Sequence, residues 1–261
     1  MTKLDVLIDL FFKELPWSQR VTKIAECGYR YVETWQGGDA AVLKQIGAAG
    51  SACGVELISI CINAPNDAST APIAPENRQR FLDQVDRYSD HALAAGCRQG
   101  IVTTGPSVGG RTYQEQRRVL VATLRAAGEL VAKKGFRLNL EPLNTEVDHP
   151  GYFLNSPHDG VAIVKEVGLH GVRLLYDVYH MDIMAGNQTV FIEANIDMIG
   201  HFHSAGIPGR HELFEGETNY PFILKRLGQT GYDDYFGLEY FPVLEDRESL
   251  TRTLDYLTGR E

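Results

Sequence analysis

The chain has 261 residues, 44% of them hydrophobic, and carries 34 acidic side chains against 25 Lys and Arg, a formal charge of -9. That length and apolar content suffice for one large core. The acidic balance (pI near 5.4) lacks the basic excess of a nucleic-acid footprint, and no apolar run approaches the ~18 residues that span a membrane. Neither a nucleic acid nor a membrane is therefore expected as a partner, while a few local Arg residues leave a small anionic substrate open.

At the N-terminus, MTKLDVLIDLFF has one Lys before a short apolar stretch broken by two Asp. This is not a signal-peptide layout, and a cytoplasmic location is expected. From there, apolar runs of strand length alternate with helical-period segments. The predicted strands are Leu4–Leu10, Tyr29–Thr34, Glu56–Ile62, Gln99–Thr103, Arg137–Leu140, Arg173–Asp177, Met198–His203 and Tyr235–Tyr240. Helices are clearest at Asn77–Ala95 and Tyr113–Lys134, where Leu120, Leu124, Ala127 and Val131 form one apolar stripe. Gly28, Gly54, Gly96 and Gly135 each stand between a helical segment and a strand, as a left-handed helix terminus requires. Cys27, Cys53, Cys61 and Cys97 contain no CxxC pair and lie in or beside apolar runs, which predicts buried, reduced thiols.

Eight β-α units over this length predict a single (β/α)8 TIM barrel spanning 1–261. An open doubly wound sheet alternates too, but no Gly-rich phosphate loop follows the first strand. The least regular segments, Asn63–Pro75, Asn144–Pro157 and Ile207–Thr218, all come after a strand, where barrels place their working loops.

Glu141, Asp177, His203 and Glu239 end four successive strands. In a barrel those ends converge on one rim. Each residue alone reads equally as a polar terminus that caps the next helix or meets water. Together they form a hard, oxygen-rich donor set for one divalent ion, Mg²⁺ or Mn²⁺ first and Co²⁺ as an alternative, because unpaired carboxylates that close repel one another. His180, three residues past Asp177, and Arg210, in the Gly/Pro loop after His203, are candidate substrate contacts. His offers a donor near neutral pH and Arg a planar fork for a carboxylate. His201 is expected to point away from His203. His149, His158, His170 and His211 have no such placement; His158 and His170 are read as solvent-facing turn residues, and His91 as structural. Trp35 and Glu33 are expected on the rim.

The stretches LEPLN (140–144), PGYFLN (150–155), LLYDVYHMDIMAG (174–186), GHFHSAGIPGRHE (200–212), GETNY (216–220) and GYDDYFGLEYFP (231–242) resemble those of hydroxypyruvate isomerases, within the xylose-isomerase-like barrel superfamily. They cover most of the second half; the first half matches mainly through its rhythm and LFFKELPW. The resemblance implies one divalent metal on Glu141, Asp177, His203 and Glu239, proton exchange by Glu141 and Glu239, and substrate contacts from His180 and Arg210. It implies an isomerase acting on a small hydroxy-carbonyl compound through an enediolate, with hydroxypyruvate giving tartronate semialdehyde. Homo-oligomers occur among such relatives. One departure bears on the substrate. Hydroxypyruvate isomerases usually carry Gln where this chain has His203, whereas the related keto-sugar 3-epimerases carry His, so epimerisation at C3 of a ketose is the alternative reading.

Overall fold

Short apolar runs bounded by turn residues become strands that are buried on both faces, the pattern of a parallel sheet covered by helices. The computed structural model describes residues 2–259, so Met1, Arg260 and Glu261, the outermost positions of the expected 1–261 unit, lie outside the described residues. The strands are β1 (Lys3–Leu7), β2 (Tyr31–Thr34), β3 (Glu56–Cys61), β4 (Gln99–Val102), β5 (Arg137–Leu140), β6 (Val172–Asp177), β7 (Ile199–Ser204) and β8 (Tyr235–Leu238). They pair in chain order, all parallel, and β8 returns to β1 to close the barrel. Closure excludes the open sheet. Around it run α1 (Trp17–Glu26), α2 (Ala40–Cys53), α3 (Arg78–Ala94), α4 (Tyr113–Ala132), α5 (Pro157–Val167), α6 (Val178–Met184), α7 (Gln188–Asn195), α8 (Tyr220–Gln229) and α9 (Asp246–Thr258).

Every predicted strand is present, and the differences lie at the ends. β1 stops at Leu7 because Ile8–Leu10 tightens into a 3-10 turn, and β8 stops at Leu238, two residues before Tyr240. The predicted stripe of α4 is buried at Leu120, Leu124, Ala127 and Val131, and Thr112 with Glu115 closes its start as a reciprocal capping box. Gly54 ends α2 at φ 72, a left-handed cap whose N–H reaches the Gly50 carbonyl. The thiols are all unpaired, but only Cys27 and Cys97 are buried; Cys53 and Cys61 are partly exposed. Among the described residues no helix is long and apolar enough to cross a membrane.

The barrel interior is not uniformly apolar. Asp5, Glu33, Ser59, Asn139, His201 and His203 are all buried there or at its lining strands. This polar layer leads up to the carboxyl rim, where barrel enzymes do their chemistry.

Candidate active site

Backbone geometry brings the four strand-end residues to one place. Glu141 follows β5, its N–H bonded to the Val102 carbonyl at 3.0 Å. Its own carbonyl accepts from the Tyr152 hydroxyl at 2.9 Å, and that hydroxyl accepts the Thr104 N–H at 2.7 Å. Asp177 is both the last residue of β6 and the N-cap of α6. Its Oδ1 accepts from the N–H groups of Tyr179 (2.7 Å) and His180 (3.2 Å). The capping role expected of a bare strand terminus is therefore real, and it leaves Oδ2 free to face the rim. His203 lies in β7, registered against Asp177 on one side and Gly237 on the other. Glu239 follows β8, its N–H bonded to the Ser204 carbonyl at 3.0 Å.

His203 Nδ1 sits 3.5 Å from Glu141 Oε1 and 3.2 Å from Glu239 Oε2. Donor atoms of Glu141, Asp177, His180 and Glu239 all lie within 4.8 Å of one another and are buried. That grouping contains His180 where the sequence suggested His203, and hydrogen bonding distinguishes the two imidazoles. His180 Nδ1 accepts the Asn144 backbone N–H at 3.3 Å and faces the Asn144 side-chain nitrogen at 2.7 Å. Nδ1 is thus an acceptor, and Nε2, 3.5 Å from Asp177 Oδ2, carries the proton. His180 presents a donor to the cavity, not a lone pair. His203 Nδ1, the ring nitrogen that faces Glu141 and Glu239, is the candidate ligand atom.

The residues fit a divalent cation. Glu141 Oε1, His203 Nδ1 and His180 Nε2 are buried without a hydrogen-bond partner. Burial pushes Asp177 up to about 7 and raises Glu141 as well. For Glu239 burial is outweighed by Arg210 and His203, which hold it low. For His203 burial is outweighed by Glu33 and Glu239, which hold it well above its ordinary value. Three carboxylates thus converge on one positive position, where either a proton on His203 or a dication offsets their repulsion. The oxygen-rich set suits a hard ion such as Mg²⁺ or Mn²⁺.

Arg210 has φ 61, and its side chain reaches Glu239. Nη2 lies 2.5 Å from Glu239 Oε2, and the guanidinium is flanked by the rings of Tyr179 and Phe241 at 5.4 and 5.8 Å. Its Nε is buried and unpaired. Trp35 donates from Nε1 to Glu239 Oε1 at 3.1 Å. Asp9 fixes that loop by accepting from Thr34 Oγ1, Trp35 N–H and Gln36 Nε2. Above these groups opens a cavity of about 970 Å³, walled by the 63–67 segment, Trp35, Tyr88, His149 and Phe241.

Two sequence expectations need correction. His201 does not point away from His203: residues two apart on a strand share a face, and the two rings lie inside the barrel with centroids 5.0 Å apart. Glu33 is not on the rim but buried beneath His203. His149, whose sequence context gave it no placement, lines the cavity with its ring 5.5 Å from that of His180. His158 and His170 are exposed, as expected, and so is His211. The contribution of Trp35 to Glu239 was hidden because 204 positions separate them in the chain. For His149 the irregular segment that carries it was the available signal.

Known proteins share this architecture. The family model described as "Xylose isomerase-like TIM barrel" matches residues 21–258. A putative hydroxypyruvate isomerase of Danio rerio is 32% identical over 247 residues, 90% of this chain and 88% of the relative. A 2-oxo-tetronate isomerase of Cupriavidus necator is 40% identical over 168 residues, 64% of either chain. A crystal structure from Brucella melitensis, described as an AP endonuclease of family 2, superposes with a TM-score of 0.88 at 29% identity, covering 98% of this chain and 99% of that one. With the family model matching nearly the whole barrel, this chain belongs to the xylose isomerase-like TIM barrel family.

Proposed function

We propose that this protein is an isomerase of small 2-keto acids that moves a proton between adjacent carbons at a divalent-cation site, with hydroxypyruvate to tartronate semialdehyde as the leading reaction. The observation that carries the reading is the meeting of Glu141 and Glu239 about one imidazole nitrogen at the floor of the cavity. The names of the relatives support the isomerase class. Glu141, Asp177, His203 and Glu239 would hold the cation, which supplies Lewis-acid stabilisation of negative charge developing on substrate oxygens.

The chain's own residues do the rest. Arg210 keeps a buried Nε–H free for the substrate carboxylate. His180, which burial and the charge of Arg210 hold neutral, points Nε2–H at the carbonyl oxygen as a donor. Glu141, whose proton affinity burial raises, is the stronger base and withdraws the proton from the hydroxyl-bearing carbon. The Glu141–Glu239 pair returns a proton to the former carbonyl carbon, and the hydroxyl proton passes to the former carbonyl oxygen. Trp35 and Tyr88 close the sides of the cavity and limit water.

The cavity volume, about 970 Å³, is at the upper end of ordinary small-ligand pockets. A three-carbon acid leaves much of it unfilled, which favours testing the four-carbon 2-oxo-tetronate beside hydroxypyruvate. The same room, with His203 in place of Gln, favours ketose 3-epimerisation as the second reading. Purified protein with Mg²⁺ or Mn²⁺ should be given hydroxypyruvate, 2-oxo-tetronate, fructose, tagatose and ribulose in D₂O, with deuterium uptake and products followed by NMR. Turnover of a keto acid is expected. Conversion of ketoses alone would replace the substrate assignment, and incision of an abasic duplex alone, against a net charge of -9, would replace the reaction class.

A further inference from the structure

Beneath the cation-binding groups lies a second layer of buried polar side chains. Glu33 Oε1 sits 2.8 Å from His203 Nε2 without the alignment of a hydrogen bond, and Glu33 Oε2 is hydrogen-bonded to His201 Nε2 at 3.2 Å. All three residues are at most 1% exposed. The β2–β3 register shifts between Val32 and Glu33, leaving Ile58 of β3 without a partner opposite. Space for the pair is made by Gly237 on β8: a Cβ there would come within 2.7 Å of Glu33 Oε1 and 2.8 Å of His203 Cδ2. An ionised carboxylate only accepts, so each of its oxygens facing an imidazole nitrogen requires a proton on that nitrogen.

We infer that Glu33 is a positioning residue: hydrogen-bonded to His201 Nε2 through one oxygen, it sets its other oxygen against His203 Nε2, and this close negative charge holds the proton on Nε2, orients the His203 ring and presents Nδ1 as the ligand face toward Glu141 and Glu239. This rests on the cation reading above. Carboxylates behind metal-bound imidazoles fix the ring and its tautomer in this way, and removing one costs about 10–100-fold in metal affinity. Glu33 touches no rim oxygen itself. It acts through His203, and His201 holds its second oxygen so that the carboxylate cannot rotate away. In Glu33→Gln the amide keeps a single accepting oxygen. If the amide nitrogen turns to His203, Nε2 must become the acceptor, and the ring proton moves to the nitrogen that faces the cation.

Two measurements test this. In wild-type protein with ¹⁵N-labelled histidine, His203 Nε2 is expected to carry a slowly exchanging, downfield proton without cation. That proton should persist when Zn²⁺ is added and only the Nδ1 resonance moves. A bare Nε2, or an Nδ1 proton that survives Zn²⁺, would overturn the assignment, and no variant needs to fold for this result. Second, Mn²⁺ binding followed by electron paramagnetic resonance should be about 10–100-fold weaker in E33Q, with the Nε2 proton resonance lost or shifted upfield. Affinity within about twofold of wild type, or a second equivalent of Mn²⁺ that E33Q abolishes, would sink the idea, the latter by making Glu33 a ligand. If wild-type protein binds no Mn²⁺ at all, the cation reading falls. The Nε2 resonance still decides whether Glu33 holds the ring.

Discussion

At Glu239 one oxygen accepts a hydrogen bond from the Trp35 indole N–H and the other lies beside both Arg210 Nη2 and His203 Nδ1. Glu141 has no such set of donors, and its Oε1 is buried without a partner. Two carboxylates of the same type are thus made unequal by their surroundings, the usual way a site separates proton-transfer roles. Replacement of either by Gln removes a proton carrier and is expected to lower kcat by about 10²–10⁴-fold, with far-UV circular dichroism unchanged. Trp35→Phe keeps the ring in the cavity wall and deletes one hydrogen bond to a charged group. It should lower kcat/KM measurably, with little change in Tm because Trp35 is 42% exposed. An unaltered kcat/KM would reduce the indole to a wall. The strand-end carboxylates were readable because a charged residue closing an apolar run is a local pattern. The Trp35 contact was not, because only barrel closure brings the loop after β2 to the end of β8.

Among the elements, α6 shows how one residue serves two levels of structure. Asp177 caps the helix through Oδ1 and turns Oδ2 to the rim. Asn at an N-cap is about as good as Asp. Asp177→Asn should therefore keep cation-free stability at or slightly above wild type, since burial already disfavours the charge there. Asp177→Ala should lose a further ~0.5–2 kcal/mol by loss of the cap. Calorimetric unfolding separates the two variants, and both should lose cation affinity. If Asn and Ala unfold together, the cap contributes nothing. Helix ends of this kind were largely legible: the glycines after α2 and before β2, β4 and β5 all take positive φ, from 67 to 97, because a side chain there is strained. The true end of β1 was not legible. Its apolar run continues through Ile8 and Leu10, and only the folded chain shows a turn there, with Asp9 bonded to the Thr34–Gln36 loop.

For the whole molecule, the last loops are tied together by Glu212, whose Oε1 accepts from the N–H groups of Val243 and Leu244 at 2.9 and 3.0 Å. Burial pushes this carboxyl up, but the backbone donors of Leu244 and Val243 outweigh it and the net shift is downward. A lowered carboxyl stabilises the folded state above its unfolded pKa, about 4.3, and that contribution disappears as pH falls through the folded value. The Tm deficit of Glu212→Gln should therefore be full at neutral pH and shrink below about pH 4; a deficit independent of pH would assign it to packing alone. The sequence by itself determined the eight-fold β-α alternation, the helix-ending glycines and the polar strand ends, since each rests on neighbours a few residues apart. The tertiary structure decided which nitrogen of which histidine faces the carboxylates, that His149 lines the cavity, and that Glu33 lies under His203. Those facts depend on closing β1 against β8 and on loops meeting across the rim, and burial and charge act there between residues far apart in the chain.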